Sequence, residues 1–280
     1  MTTAAARRER LDVVLVARGF LPTRAKAQAA ILAGEVYVGG ARVTKPGLAV
    51  APDAPIEIRP LRPAYVSRGG LKLDHALTVF GIDPAGWRVA DVGASTGGFT
   101  DCLLRRGARQ VYAIDVGAGQ LHWSLRTDPR VVVLERRDVR TVDAALLDGP
   151  VDLATVDVSF ISLGKVLPAV RRLVRPGGAV VALVKPQFEA GPKAARGGVV
   201  RDAAVHRHVL ARVARQAEES GYTVAGATYS PIAGPDGNLE FFLHLRTEHP
   251  PDVQGGAGRV DLDAVVDTAH AVVPRRGVRR

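Results

Sequence analysis

From about residue 67 to residue 248 short apolar runs alternate with amphipathic stretches, and this alternation limits the fold more than any other feature. Strand-like runs fall at 88–92, 110–116, 131–134, 151–156 and 179–184. Helical stretches separate them, including 98–106, 163–174 and 203–220. Strands alternating with helices pair in parallel, because each connection must cross back over the sheet. The end differs: 222–229 and 239–245 are strand-like, with only the turn-rich Pro231 to Asn238 between them. The expectation is an α/β fold, a doubly wound seven-stranded sheet whose last strand is antiparallel.

The first fifty residues follow another rule. Two short helices are expected at 11–20 and 23–33, the second capped by Thr23 and stopped by Gly34. Glu35 to Val38, a Gly39-Gly40 turn and Ala41 to Thr44 read as a β-hairpin, and Ile56-Glu57-Ile58 as a further strand. Pro52, Pro55, Pro60 and Pro63 then mark a boundary. The expected organisation is a disordered basic start, a small α+β domain at 8–59, a linker at 60–66, a large domain at 67–248 and a tail at 249–280. Within the tail, 260–273 is a candidate helix.

The chain carries 38 basic and 28 acidic residues, a net charge of +10. That excess points to a polyanionic partner, either nucleic acid or an anionic membrane. Membrane insertion is not expected, because the longest apolar stretch, near 177–184, falls far short of the roughly 20 residues a span needs. No signal peptide is visible: Asp12 and Arg18 interrupt the only early apolar run. A single cysteine, Cys102, fits a reducing cytoplasm, and the scattered histidines suggest no metal site. A monomer is expected. Only six of the cationic residues are Lys, so the Lys positions carry more information than the abundant Arg.

The first strand of the large domain runs into Asp91-Val92-Gly93-Ala94-Ser95-Thr96-Gly97-Gly98-Phe99-Thr100. Small residues between a strand and a helix let the backbone approach a ligand, with helix amides facing it. A dinucleotide fingerprint needs three glycines, but Gly93, Ser95 and Gly98 stand at those positions. The stretch instead resembles the S-adenosylmethionine loop of Rossmann-like methyltransferases. Asp115, closing the second strand, can accept both ribose hydroxyls. By the same resemblance, Asp138, followed by Val139, stands where a methyltransferase holds the adenine. Taken singly, both aspartates could be ordinary turn residues, and NAD remains the rival cofactor.

The fourth strand ends in Asp157-Val158-Ser159-Phe160, without the prolines that accompany amine methylation. The fifth ends in Val184-Lys185-Pro186-Gln187-Phe188; Lys72 precedes the first strand and Glu240 opens the last. Lys72, Asp157, Lys185 and Glu240 match, in order, the tetrad of FtsJ/RrmJ-type ribose 2′-O-methyltransferases. The amino-terminal pattern Arg10-Leu11-Asp12, Thr23 to Gln28, Ile31, Gly34, Val36, Val38 and Gly40 resembles an S4 RNA-binding domain. With Ser67-Arg68-Gly69-Gly70-Leu71-Lys72-Leu73, the loop, and the segments from Asp157 and Val184, the chain resembles the TlyA (haemolysin A) family over about residues 9–246. The resemblance implies S-adenosyl-L-methionine as cofactor, ribosomal RNA in ribosomal subunits as partner, and cytidine ribose as target.

The chemistry suits these four residues. A ribose hydroxyl is a weak nucleophile that needs a base, and a neutral Lys185 can serve, with Lys72 lowering its proton affinity. Asp157 and Glu240 would orient the amines. A lone Lys is more often solvated or phosphate-bound, as expected for Lys26, Lys45 and Lys193. The S4 pattern makes Arg7, Arg10, Arg18, Arg24, Lys26, Arg42 and Lys45 candidate RNA contacts. The stretch 191–198 is a candidate closing loop, and Trp87 and Trp123 are expected in the core or a pocket wall. The alternatives are a non-catalytic RNA-binding protein and a membrane-damaging haemolysin.

Overall fold

The chain divides into two units, Met1–Pro63 and Ala64–Arg280. A computed structural model describes residues 8–59, 65–191, 196–247 and 260–274. In the first unit β1 (Glu9–Arg10) leads into α1 (Leu11–Ala17), which packs against α2 (Arg24–Ala33). The first helix stops before Phe20 because Gly19 turns the chain with φ 71°. Thr23 starts the second by accepting the Lys26 N–H at 3.3 Å, and Gly34 ends it in the left-handed region. Strands β2 (Val36–Val38), β3 (Ala41–Val43), β4 (Ala49–Val50) and β5 (Ile56–Ile58) follow. β2 is central between β3 and β5, and β1 pairs with β4. Leu11, Leu15, Ile31 and Val36 form the core of this unit. β1 and β4 are two residues each, too short for alternation to announce them.

The second unit opens with a helix absent from the sequence reading, α3 (Arg68–Phe80), capped by Ser67 and ended by Gly81 at φ 64°. It buries Leu73, Ala76 and Leu77, so Lys72 lies on a helix and not merely ahead of a strand. There follow β6 (Arg88–Val92), α4 (Gly98–Arg105), β7 (Gln110–Asp115), α5 (Trp123–Arg126), β8 (Val131–Glu135) and β9 (Val151–Val156). Then come α6 (Leu167–Leu173), β10 (Val174–Val184), α7 (Pro186–Glu189), α8 (Ala203–Glu219), β11 (Thr223–Tyr229), β12 (Phe241–Arg246) and α9 (Leu262–Val272). β10 reaches further back than expected, with an irregular register between Val174 and Ala179.

The seven strands lie in the order β11-β12-β10-β9-β6-β7-β8. β12 runs antiparallel to both neighbours; the pairs from β10 to β8 are parallel. Period-two alternation sends successive side chains to opposite faces. Ala179, Val181 and Leu183 join the core beneath α3 and α4, while Val180, Ala182 and Val184 join the core beneath α6, α8 and α9. Cys102 is buried in the first of these layers. α9 seals the other layer with Val266, Ala269 and Val273. The chain order reverses between β6 and β9, so their carboxyl ends flank the crevice where ligands bind in such sheets.

Candidate active site

Two clefts open at this edge, of about 460 and about 360 Å³, and they share Gly93, Ser95 and Asp157. The first is lined by Ala94, Thr96, Gly98 and Phe99 from the loop, with Lys72 facing them. The second is lined by Asp115, Asp138 and Val139. Gly93 has φ 86°, and a Cβ there would stand 2.5 Å from the Asp157 carbonyl oxygen. The backbone therefore passes β9 at a distance only glycine permits. Gly97, φ 94°, lines neither cleft; a Cβ there would strike Leu125 and Leu121, so this glycine serves packing.

The Asp115 carboxylate organises the loop. One oxygen accepts the Ser95 N–H at 2.8 Å and the other the Gly117 N–H at 2.7 Å. Each oxygen keeps a lone pair for a further donor, which suits a vicinal diol. Asp138 is differently employed: it caps the short turn Val139–Thr141 and pairs with Arg140 at 2.5 Å. Asp91 and Thr100 face inward. The fully buried Asp91 carboxyl accepts from Thr100 Oγ1 at 2.6 Å and Thr155 Oγ1 at 3.0 Å, and burial pushes it up to about 7. It ties the loop's helix to β9 and does not reach the clefts. The cradle at Gly93 and the Asp115 carboxylate fit an S-adenosyl group.

The four ionisable residues come together as two ion pairs. Lys72 Nζ donates to Glu240 Oε2 at 2.5 Å, and Lys185 Nζ lies 2.6 Å from Asp157 Oδ1. Lys185 also donates to Ser159 Oγ at 2.8 Å. Burial raises the Glu240 carboxyl above its ordinary range, opposed chiefly by Lys72 and, more weakly, by Lys185. The positive charge of Lys72 is thus matched by Glu240. Glu240 immediately precedes β12 rather than lying in it.

Sequence reasoning missed Ser67, Arg68 and Pro235, which line the first cleft with Lys72. The signal was present in the Ser67 to Gly70 run, whose helix cap went unread. Ser159 also belongs to the site, as the hydroxyl partner of Lys185. Trp87 packs against the core as expected, but Trp123 is 72% exposed. It opens the short helix α5, whose Leu121 and Leu125 neighbours already fill the space over Gly97.

In the small unit, four predicted RNA contacts, Arg10, Arg18, Arg24 and Arg42, have structural partners. Buried Asp12 accepts from Arg10, Arg24 and Gln28, and Arg10 above all holds its carboxyl far below the ordinary range. Arg42 donates to the Gly34 and Ala33 carbonyls at the end of α2. Arg18 donates to the Ala54 carbonyl. Lys26 and Lys45 are exposed, and neither has an ion pair among the described residues. Arg7 and Lys193 lie outside the described residues.

Residues 65–247 match the FtsJ-like methyltransferase family and residues 9–56 the S4 domain. A Bacillus subtilis protein provisionally named an rRNA methyltransferase, YqxC, is 47% identical across 96% of this chain and 97% of its own. The 16S/23S rRNA (cytidine-2′-O)-methyltransferase TlyA of Mycobacterium tuberculosis is 48% identical across 87% of this chain and 91% of its own. A solved structure from Streptococcus thermophilus, provisionally named a hemolysin, superposes with a TM-score of 0.72 at 41% identity, covering 95% of this chain and 97% of that one. With both domains matched and the similarity running through nearly the whole length, the chain belongs to the TlyA family of S4-bearing, FtsJ-like methyltransferases.

Proposed function

We propose that the chain transfers a methyl group from S-adenosyl-L-methionine to the 2′-hydroxyl of a cytidine ribose in ribosomal RNA, acting on ribosomal subunits as a cytoplasmic monomer. The observation that carries this reading is the Lys185–Asp157 pair beside the glycine cradle, with Lys72–Glu240 against the same cleft. The cytidine-2′-O activity for which the Mycobacterium tuberculosis relative is named supports the choice of cytidine ribose. Among the described residues no helix is long and apolar enough to cross a membrane.

The cofactor supplies an electrophilic methyl on a sulfonium. Gly93 to Thr96, Gly98, Phe99 and Asp115 would hold it, with Asp138 and Val139 closing the second cleft. Lys185 accepts the hydroxyl proton as a free amine. The ion pair with Asp157 is the resting ammonium arrangement, and the amine becomes a base once it has passed one of its own protons to water. Glu240 restrains Lys72 through a short, buried contact, so Lys72 presents its charge from one position. In the small unit, Lys26 and Lys45 supply phosphate contacts directly, while Arg10, Arg18, Arg24 and Arg42 offer guanidinium faces already held in place.

Purified small and large subunits incubated with labelled cofactor, digested to nucleosides and analysed by mass spectrometry, test this. 2′-O-methylcytidine is expected. A methyl group on a base, or none on either subunit, overturns the reading.

A further inference from the structure

We propose that Glu189 is a positioning residue, which holds the segment carrying Asp157 against the segment carrying Lys185. This rests on the tetrad reading above. Glu189 closes α7, one turn after Lys185, and its side chain is 2% exposed. Oε1 accepts the Leu163 N–H at 2.7 Å, and Oε2 accepts the Ser162 hydroxyl at 2.8 Å. Arg212, on α8, reaches the same Oε2 at 3.4 Å and also donates to the Glu189 carbonyl. A buried carboxylate thus receives donors from a second loop and a third element.

That second loop is the one leaving β9. Its first residue, Asp157, is fixed by its N–H to the Val92 carbonyl at 2.8 Å. Its far end is fixed by Glu189. Between them Phe160 holds φ 64°, an unfavourable region for an aromatic residue, and is 89% exposed. Its ring meets Phe188 at 4.8 Å. Apart from that ring pair and the Glu189 bonds, the side-chain ties between the two segments among the described residues are the reacting contacts themselves, Lys185 with Asp157 and Ser159. Without Glu189 those contacts must hold their own geometry while also exchanging a proton. A desolvated carboxylate is a costly way to join two loops where apolar contacts suffice, but it gives direction that apolar packing lacks.

Glu189→Gln keeps the shape and the acceptor for Leu163, but turns an amide NH₂ toward Ser162 and Arg212. Single-turnover methylation should fall roughly 10- to 100-fold, the range for a misplaced reacting group, with cofactor affinity within about twofold of the parent. A second readout needs no substrate: acetylation of the Lys185 amine in the free protein, followed by peptide mass spectrometry with Lys45 as internal reference. It should rise severalfold as the Asp157 contact loosens. Ser162→Ala, which leaves the carboxylate and its other donors intact, should move both readouts the same way by less, and the double variant should not add. Unchanged Lys185 reactivity in both variants overturns the positioning role, whatever reaction the site performs. Raised reactivity without any ribose methylation by the parent protein would indict the functional reading instead.

Discussion

Lys185 Nζ and Asp157 Oδ1 lie 2.6 Å apart at the carboxyl ends of two adjacent parallel strands, β10 and β9. Neither residue is near the other in sequence; the parallel pairing of the strands brings the amine and carboxylate together. Lys185→Ala should therefore cut single-turnover methylation by roughly 10² to 10⁴ while leaving cofactor affinity nearly unchanged, since the loop at Gly93 is untouched. Lys185→Arg should fail nearly as badly, because a guanidinium stays protonated. Near-normal turnover by the Arg variant would show that the residue only supplies charge.

Asp115→Ala should act through cofactor binding. It removes the acceptor for a diol and releases the Ser95 and Gly117 amides at once. A loss of roughly tenfold to a hundredfold in affinity is expected for hydrogen bonds to a charged group. Titration calorimetry gives the affinity, and saturating cofactor should partly restore the rate. A rate that stays low at saturation would place Asp115 in the chemical step.

Buried Asp91 and half-buried His244 impose opposing pH dependences on stability. Burial raises Asp91 from 3.8 to about 7 and lowers His244 from 6.5 to about 4. The folded chain binds the Asp91 proton more tightly than the unfolded chain does. That contribution is full below 3.8 and is lost as pH rises through about 7. For His244 the folded chain binds the proton less tightly, so its contribution is full above 6.5 and is lost as pH falls through about 4. Asp91→Asn should leave stability falling toward acid, and His244→Phe should leave it falling toward neutrality. Urea unfolding at several pH values across this window measures both slopes; an unchanged slope in either variant would clear that residue.

The basic residues of the small unit should divide by role. Lys26→Ala and Lys45→Ala should each flatten the salt dependence of RNA binding by about one phosphate contact, with little loss of stability. Asp12→Asn removes the charged partner of Arg10 and Arg24 and should destabilise the unit, because its donors converge on a buried site. Filter binding across a salt series and thermal unfolding separate the two effects. Equal salt slopes for the parent and both Lys variants would exclude those lysines from the interface.

By itself the sequence determined the alternation of strands and helices from β6 to β12, the small domain's capped helix and hairpin, the glycine loop and the four ionisable residues. These are local quantities: apolar period, caps, turns and short spacings follow from the chain's own geometry. Pairings were decided only by the tertiary structure. Lys72 meets Glu240 across 168 positions, and nothing in local spacing chooses Glu240 over Asp157 as its partner. Likewise Asp12 engages arginines that the S4 resemblance assigned to RNA, and Glu189 binds a turn 26 residues away. Asp91 and Thr100, read as cofactor contacts from the motif, turn inward: strand alternation sends Asp91 away from the cleft, and Thr100, on the first turn of α4, faces Asp91. Such choices depend on which side chains share a buried volume once the sheet is assembled, and that volume does not exist before the strands pair.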